Sequence, residues 1–295
     1  NEAMSSSDVI RLLSLAAIWG GSFLFMRVAA PVLGSAYLAE GRVLLAAIFL
    51  YCLALYLKKN SNLQEHWRHY LIMGFFNSAF PFVLFGFAAL NLSTSQLSIL
   101  NSTAPIWAFV IGLFVGNEKF KIKRGGGLLL GVIGVGVLFS TSSALIDTNT
   151  YQSIGLGLGA AFSYGIATNY AKKAKSVEPF DNAHGSMWAA AILLLPALFF
   201  VPIRSEPTAP VLGAVIAIGI ICSGIAYLLY FRLIKDVGAA SALTVTFLIP
   251  VFGTLWGILF LGEHLTLNAA IGMLIIVIGT AMVTEFDIKK LVKTG

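Results

Sequence analysis

The sequence predicts an all-α polytopic membrane protein of ten transmembrane helices, built as two inverted five-helix repeats with both termini in the cytoplasm. Three observations carry that prediction: an extreme composition, ten apolar runs of spanning length, and an internal duplication. Of 295 residues, 58% are hydrophobic and only 11% charged, with a mean hydropathy of +0.88. Soluble domains carry about 25% charged residues, so these side chains cannot build a water-facing surface, and a soluble enzyme is excluded.

The apolar runs fall at 9–30, 36–57, 70–90, 95–116, 124–141, 153–174, 181–202, 209–233, 238–261 and 266–285. Each approaches the ~20 residues needed to cross a ~30 Å hydrocarbon layer as a helix. Strands are excluded, because the runs do not alternate in polarity and an open sheet edge in lipid leaves backbone groups unpaired. The first run is longer than a leader's apolar core and carries only Arg11 near its start, so it is expected to be a retained helix. Asn1, Glu2 and Ala3, ahead of Met4, are set aside.

Cations orient the helices, because Lys and Arg concentrate in cytoplasmic loops. Arg11, Lys58, Lys59, Arg68, Lys119, Lys121, Lys123, Arg124, Lys172, Lys173, Lys175, Arg232, Lys235, Lys289, Lys290 and Lys293 share one side, which accounts for all 19 cations except Arg27, Arg42 and Arg204. The opposite loops, near 31–35, 91–94, 142–152, 203–208 and 262–265, hold only Arg204. The net charge of +6 is therefore topological; no basic domain offers itself to nucleic acid. Cys52 and Cys222 lie within apolar runs and form no disulfide framework or metal motif.

Sliding the chain along itself by 145 residues superposes Ala16 on Ala161, Gly20 on Gly165, Gly74 on Gly219 and Ser78 on Ser223. Pro105 meets Pro250, Gly112 meets Gly257, Glu118 meets Glu263, Gly127 meets Gly272 and Gly134 meets Gly279. Trp19 faces Tyr164 and Arg27 faces Lys172, so character persists where identity is lost. The repeats are expected at 1–146 and 147–295, with a break near residue 147 in the Lys- and Arg-free linker 141–153. An odd number of helices per repeat turns the second copy upside down. Two inverted copies of one bundle have two nearly equal packings, each open to one side, and a substrate site near the midplane where they meet.

Trp19-Gly20-Gly21-Ser22-Phe23, Arg42 in helix two, and the twice-repeated spacing Pro105 to Glu118 and Pro250 to Glu263 resemble the ten-helix EamA branch of the drug/metabolite transporter superfamily. The resemblance covers nearly the whole chain. It implies a carrier of the bacterial inner membrane with both termini inside, moving metabolites such as amino acids through a cavity lined by helices three, four, six, eight, nine and their neighbours.

Local chemistry names the candidate binding residues. Proline lacks the N–H that would bond the carbonyl four residues earlier, so Pro81 frees the carbonyl of Asn77, Pro105 that of Asn101 and Pro250 that of Thr246. In lipid such groups must face protein or a watery cavity, which makes Asn77, Asn101 and Thr246 candidate ligands, with interhelical hydrogen bonding as the competing role. Trp19, Tyr164, Phe80 and Tyr227 supply aromatic faces, and Ser78 sits beside Asn77. Glu40, Arg42, Glu118 and Glu263, together with the three prolines, are expected in gating or structural roles, with Glu263 a candidate partner of Arg42. His184 is a titratable side chain within the seventh run.

The glycine clusters 131–136 and 155–159 lack the Lys-Ser/Thr of a phosphate loop and lie inside apolar runs; they serve helix packing. No catalytic residue, metal or cofactor is expected. The expected function is secondary transport of amino acids or similar amphipathic compounds by alternating access, with export one of the two directions. Its partners are the solute, the lipid bilayer and, as an open possibility, a coupling proton or ion; a monomer or weak homodimer is expected. The alternatives are a membrane-embedded transferase acting on lipid-linked substrates and a non-transporting sensor or scaffold. A transferase calls for a cluster of Asp, Glu or His and a sizeable polar loop, whereas the loops here are short.

Overall fold

The computed structural model describes residues 4–140 and 148–289, and within them every regular element is helical. A helical run, Ser6–Tyr56, opens with a capping box between Ser5 and Asp8 and is broken at Gly34 (φ 74°, ψ 163°) into α1 (6–33) and α2 (35–56). There follow α3 (Trp67–Ala88), α4 (Thr94–Phe114), α5 (Ile122–Leu138), α6 (Thr148–Lys173), α7 (Pro179–Phe200), α8 (Ala209–Val237), α9 (Ala239–Leu261) and α10 (Leu267–Val283).

The turn between α1 and α2 is shorter than the sequence suggests. Arg11 pairs with Asp236 and Trp19 bonds Cys222, so α1 runs antiparallel to α8. Gly219 lies against Leu45 and Gly224 against Phe49, so α2 runs parallel to α8. One residue, Gly34, therefore reverses the chain. Its positive φ disfavours a side chain, and a Cβ there would lie 2.9 Å from the Pro202 carbonyl.

Six helical runs are long and apolar enough to cross a membrane, the first of them 51 residues long. The helices α5 and α10, each of 17 residues, and the Ser-, Thr- and Asn-containing α6 fall outside that set. Apolar side chains stand outward, with Ile122 and Phe199 among the most exposed, as a lipid-facing surface requires.

Two departures from regular α-helix were not legible in the sequence. α3 is π-helical over Phe75–Ala79 and α8 over Ala217–Ile225; residues 220–224 of the second stretch are the equivalents of the first at the 145-residue offset. The π register also moves the free carbonyl. Pro81 withholds its N–H from Phe76 rather than from Asn77, and Ser163 Oγ donates to the Phe76 carbonyl at 2.6 Å. α4 breaks at Ser102 and Thr103, just before Pro105, and their hydroxyls donate back to the Ile99 and Leu100 carbonyls.

The repeats pack with reciprocal contacts. A Cβ on Gly127 would meet the Gly279 carbonyl at 2.6 Å, and one on Gly134 would meet the Gly272 carbonyl at 3.1 Å. α5 and α10 thus run antiparallel, Gly127 facing the equivalent of Gly134 and Gly134 facing the equivalent of Gly127. Gly20 lies against Gly253 just as Gly165 lies against Ala108, and Gly74 against Ala190 as Gly219 lies against Leu45. In each pair the second contact is the first with its halves exchanged, which is the signature of a two-fold axis relating them. The expected break near residue 147 lies outside the described residues.

Candidate functional site: a cavity shared by the repeats

A cavity of about 560 Å³ runs into the protein between the repeats. Trp19, Arg42, Asn77, Phe82 and Asn101 line it from the first half, and Tyr164, Cys222, Tyr227, Tyr230 and Thr246 from the second. A neighbouring hollow of about 470 Å³ shares Asn77, Thr168, Lys172, Tyr227 and Tyr230 with it and adds Ser78 and Asn182.

One end of the cavity is lined by Glu118, Arg124, Lys172, Val283 and Thr284. At this mouth Glu118 accepts a hydrogen bond from Arg124 at 2.7 Å and another from Lys172 at 2.6 Å. Partial burial raises the Glu118 pKa, but the hydrogen bonds and charges of Lys172 and Arg124 outweigh burial and hold it below its ordinary value.

The opposite end is sealed. Glu263 accepts from the backbone N–H of Thr94 at 2.9 Å, at the start of α4, where a helix N-terminus favours a carboxylate. Ser95 and Thr254 share a buried hydroxyl hydrogen bond of 2.9 Å, and Asn91 donates to Ser153 at 3.0 Å. Arg27 donates to the Ala89 carbonyl at the end of α3, at 2.8 Å. None of these residues lines either cavity.

Inside, Trp19 donates its indole N–H to the Cys222 carbonyl at 3.0 Å, and its ring lies 6.3 Å from that of Tyr227 and 5.4 Å from that of Tyr230. This wall combines apolar faces with phenolic tips, which suits amphipathic guests. Of the expected binding residues, Trp19, Asn77, Asn101, Tyr164, Tyr227 and Thr246 line the main cavity and Ser78 the second. The Thr246 hydroxyl donates back to the Ala242 carbonyl. Phe80 lies elsewhere: it is 41% exposed and stacked on Phe75, while Phe82 takes the inward position. The inserted residue of the π turn rotates the following faces of α3 relative to a regular helix.

The residues assigned to gating separate. Glu118 and Pro105 line the cavity, whereas Pro81, Pro250, Glu40 and Glu263 do not. Glu40 is buried, with Oε2 lacking a hydrogen-bond partner. Arg42 does not pair with Glu263. It reaches into the cavity and donates Nε–H to Ser223 Oγ at 2.9 Å, on the π-helical stretch of α8. Its guanidinium carbon lies 3.8 Å from the centroid of the Phe82 ring. The available signal was an Arg within an apolar run, since intramembrane cations face a bundle interior. Sequence reading also missed Asn169, whose amide donates to the Ala108 and Gly165 carbonyls and accepts from Asn117, clamping α6 to α4 beside the mouth.

Residues 7–140 and 152–285 each match the EamA-like transporter family. The chain is 26% identical over 280 residues to the uncharacterized transporter YoaV of Bacillus subtilis, covering 94% of this chain and 96% of the relative. It is also 26% identical over 289 residues to the chloroplastic WAT1-related protein At3g02690 of Arabidopsis thaliana, covering 92% and 68% of the two chains. A solved crystal structure superposes with a TM-score of 0.66 at 18% identity, covering 96% of this chain and 98% of that one, a likeness of fold. With two consecutive family matches spanning most of its length, the chain belongs to the EamA-like transporter family and carries its domain as two repeats.

Proposed function

We propose that the protein is a secondary carrier of small amphipathic metabolites, amino acids or compounds like them, working by alternating access. The observation that carries this reading is one cavity lined by both repeats, reached from one end and sealed at the other. Two packings related by exchange of the repeats would present the same cavity to each side in turn. The reading takes 1–146 and 147–295 as the inverted repeats, all ten helices as membrane-crossing, the cation-rich mouth and both termini as cytoplasmic, and the inner membrane of a bacterium as the location. Solute binding and movement need no bond-making step, so no catalytic residue is assigned.

The test is flux in sealed proteoliposomes across a panel of amino acids and related metabolites. The wild-type protein should accelerate movement of at least one compound. Trp19→Ala and Tyr164→Ala should each lower that flux about tenfold or more, as loss of an aromatic wall does in a binding cavity, with normal yield and thermal midpoint. Wild-type flux in both variants would contradict the assignment of this cavity, and no flux for any compound would contradict the carrier reading.

A further inference from the structure

Arg42 lies in the interior of α2, is only 7% exposed, and contributes to the cavity wall. Two contacts fix its guanidinium: the hydrogen bond from Nε to Ser223 Oγ and the face of Phe82 beneath it. Neither uses the two terminal nitrogens, which have no further hydrogen-bond partner among the described residues. No carboxylate pairs with Arg42 there either. Glu118, in the same cavity, is engaged by Arg124 and Lys172. Glu40 stands two residues away, about 200° around the helix, and does not line the cavity. The charged residues that do are Arg42, Arg124, Lys172 and Glu118, three cations against one anion.

A positioned guanidinium with its outer edge free is a planar fork that matches the two oxygens of a carboxylate. Withholding an opposite charge from it inside a membrane protein is costly unless a ligand supplies one. Among the described residues, Arg42 is the one cation of the cavity wall that is not engaged with Glu118, and it shares that wall with Trp19 and Tyr227, so the complement is a single negative charge attached to an apolar or aromatic body.

We infer that Arg42 is the carboxylate-recognition residue of the cavity, held by Ser223 and Phe82, and that the solute is an amphipathic carboxylate whose apolar part lies against Trp19, Tyr227 and Tyr230. This rests on the carrier reading for what the site does after binding, and narrows it: a neutral or cationic solute without a carboxylate is excluded.

The experiment compares acids with their neutral amides: L-phenylalanine with L-phenylalaninamide, L-leucine with L-leucinamide, and phenylacetate with phenylacetamide. Binding to the purified protein is read by thermal shift and movement by proteoliposome flux. The acid of at least one pair should bind about ten- to a hundredfold more tightly than its amide, the range set by one charge-assisted hydrogen-bond pair. Arg42→Gln should abolish that preference. Ser223→Ala, which releases the guanidinium from its holder without removing it, should reduce the preference and serves as the second variant if Arg42→Gln does not fold. Amides binding as well as their acids, a preference that survives in both variants, or no acid bound at all would overturn the inference. Flux of amides alone would overturn it while leaving the carrier reading intact. Arg42-dependent binding of acids without flux of any compound would support it and count against the carrier.

Discussion

Glu118 and Glu263 occupy equivalent positions in the two repeats and make the same local turn, each donating its backbone N–H to the carbonyl of a glycine, Gly112 or Gly257, at 3.1 Å. Each side chain folds back over that glycine. Their partners then diverge. Glu263 reaches the backbone N–H groups at the start of α4 and ties it to the end of α9. Glu118 reaches no helix start; it is held by Arg124 and Lys172 at an open mouth. The same contrast holds for their basic counterparts, since Arg27 binds the end of α3 whereas its equivalent, Lys172, binds Glu118. One motif thus has two sets of partners within one molecule, which on the proposed carrier reading are a lock at the sealed end and a released form at the open one. Exchanging the repeats would place Glu118 at the start of α9, at Ala239 and Ala240, and return Glu263 toward Arg27.

The comparison is sharpened most by removing each carboxylate in turn. Glu263→Ala deletes the acceptor at the start of α4, a loss of about 1–2 kcal/mol from the sealed end, and should raise exposure of the cavity from that side by about tenfold. Glu118→Ala should shift access the opposite way, because it deletes the lock of the alternate state while giving up ion pairs with a partly exposed mouth, which are worth less. Site-specific thiol labelling of a cavity residue from each side reads both shifts. Changes in the same direction would mean that the two glutamates are not exchanging locks.

A smaller effect is expected from the buried Ser95–Thr254 pair. Ser95→Ala leaves a hydroxyl without its partner and should cost the sealed state about 1 kcal/mol. The double change with Thr254→Val should cost less than the sum of the single changes, as measured by the same labelling rates.

The smallest effect is that of pH on the mouth. The Glu118 pKa is depressed from an ordinary value of 4.5, so its ion pairs are fully formed above that value and are lost as pH falls through the lower, folded value. Labelling at the mouth should therefore be flat from neutral pH down to about 5 and change only in more acid solution. A transition near neutrality would assign the mouth to another titrating group.

The duplication was legible because its markers are residues that little else replaces. Gly127, Gly134, Gly272 and Gly279 allow backbones to touch, and Pro105 and Pro250 each remove a backbone donor within an apolar run, with a helix break before Pro105 and a continuous helix through Pro250. Six of the expected binding residues line the main cavity for a similar reason, since polar and aromatic groups deep in apolar runs must turn inward. The rest depends on rotation about helix axes, which spacing alone does not determine. The π turn in α3 replaced Phe80 by Phe82 at the cavity and moved the carbonyl freed by Pro81 from Asn77 to Phe76. The sequence offers Glu263 as the partner of Arg42, yet the partner that brings it to the cavity, Ser223, lies 181 residues away on the equivalent π turn. The single-residue reversal at Gly34 was likewise hidden, because Pro31 stays within the helix instead of ending it.

The most direct measurement places one cysteine at Asn101, inside the cavity, in a chain with Cys52 and Cys222 replaced, and follows its reaction with a membrane-impermeant thiol reagent in right-side-out and inside-out vesicles. Alternation of two repeat-exchanged packings predicts reaction from both sides, with Glu263→Ala accelerating it only from the side opposite the Glu118 mouth. Reaction from one side alone, unchanged by Glu263→Ala, would contradict it.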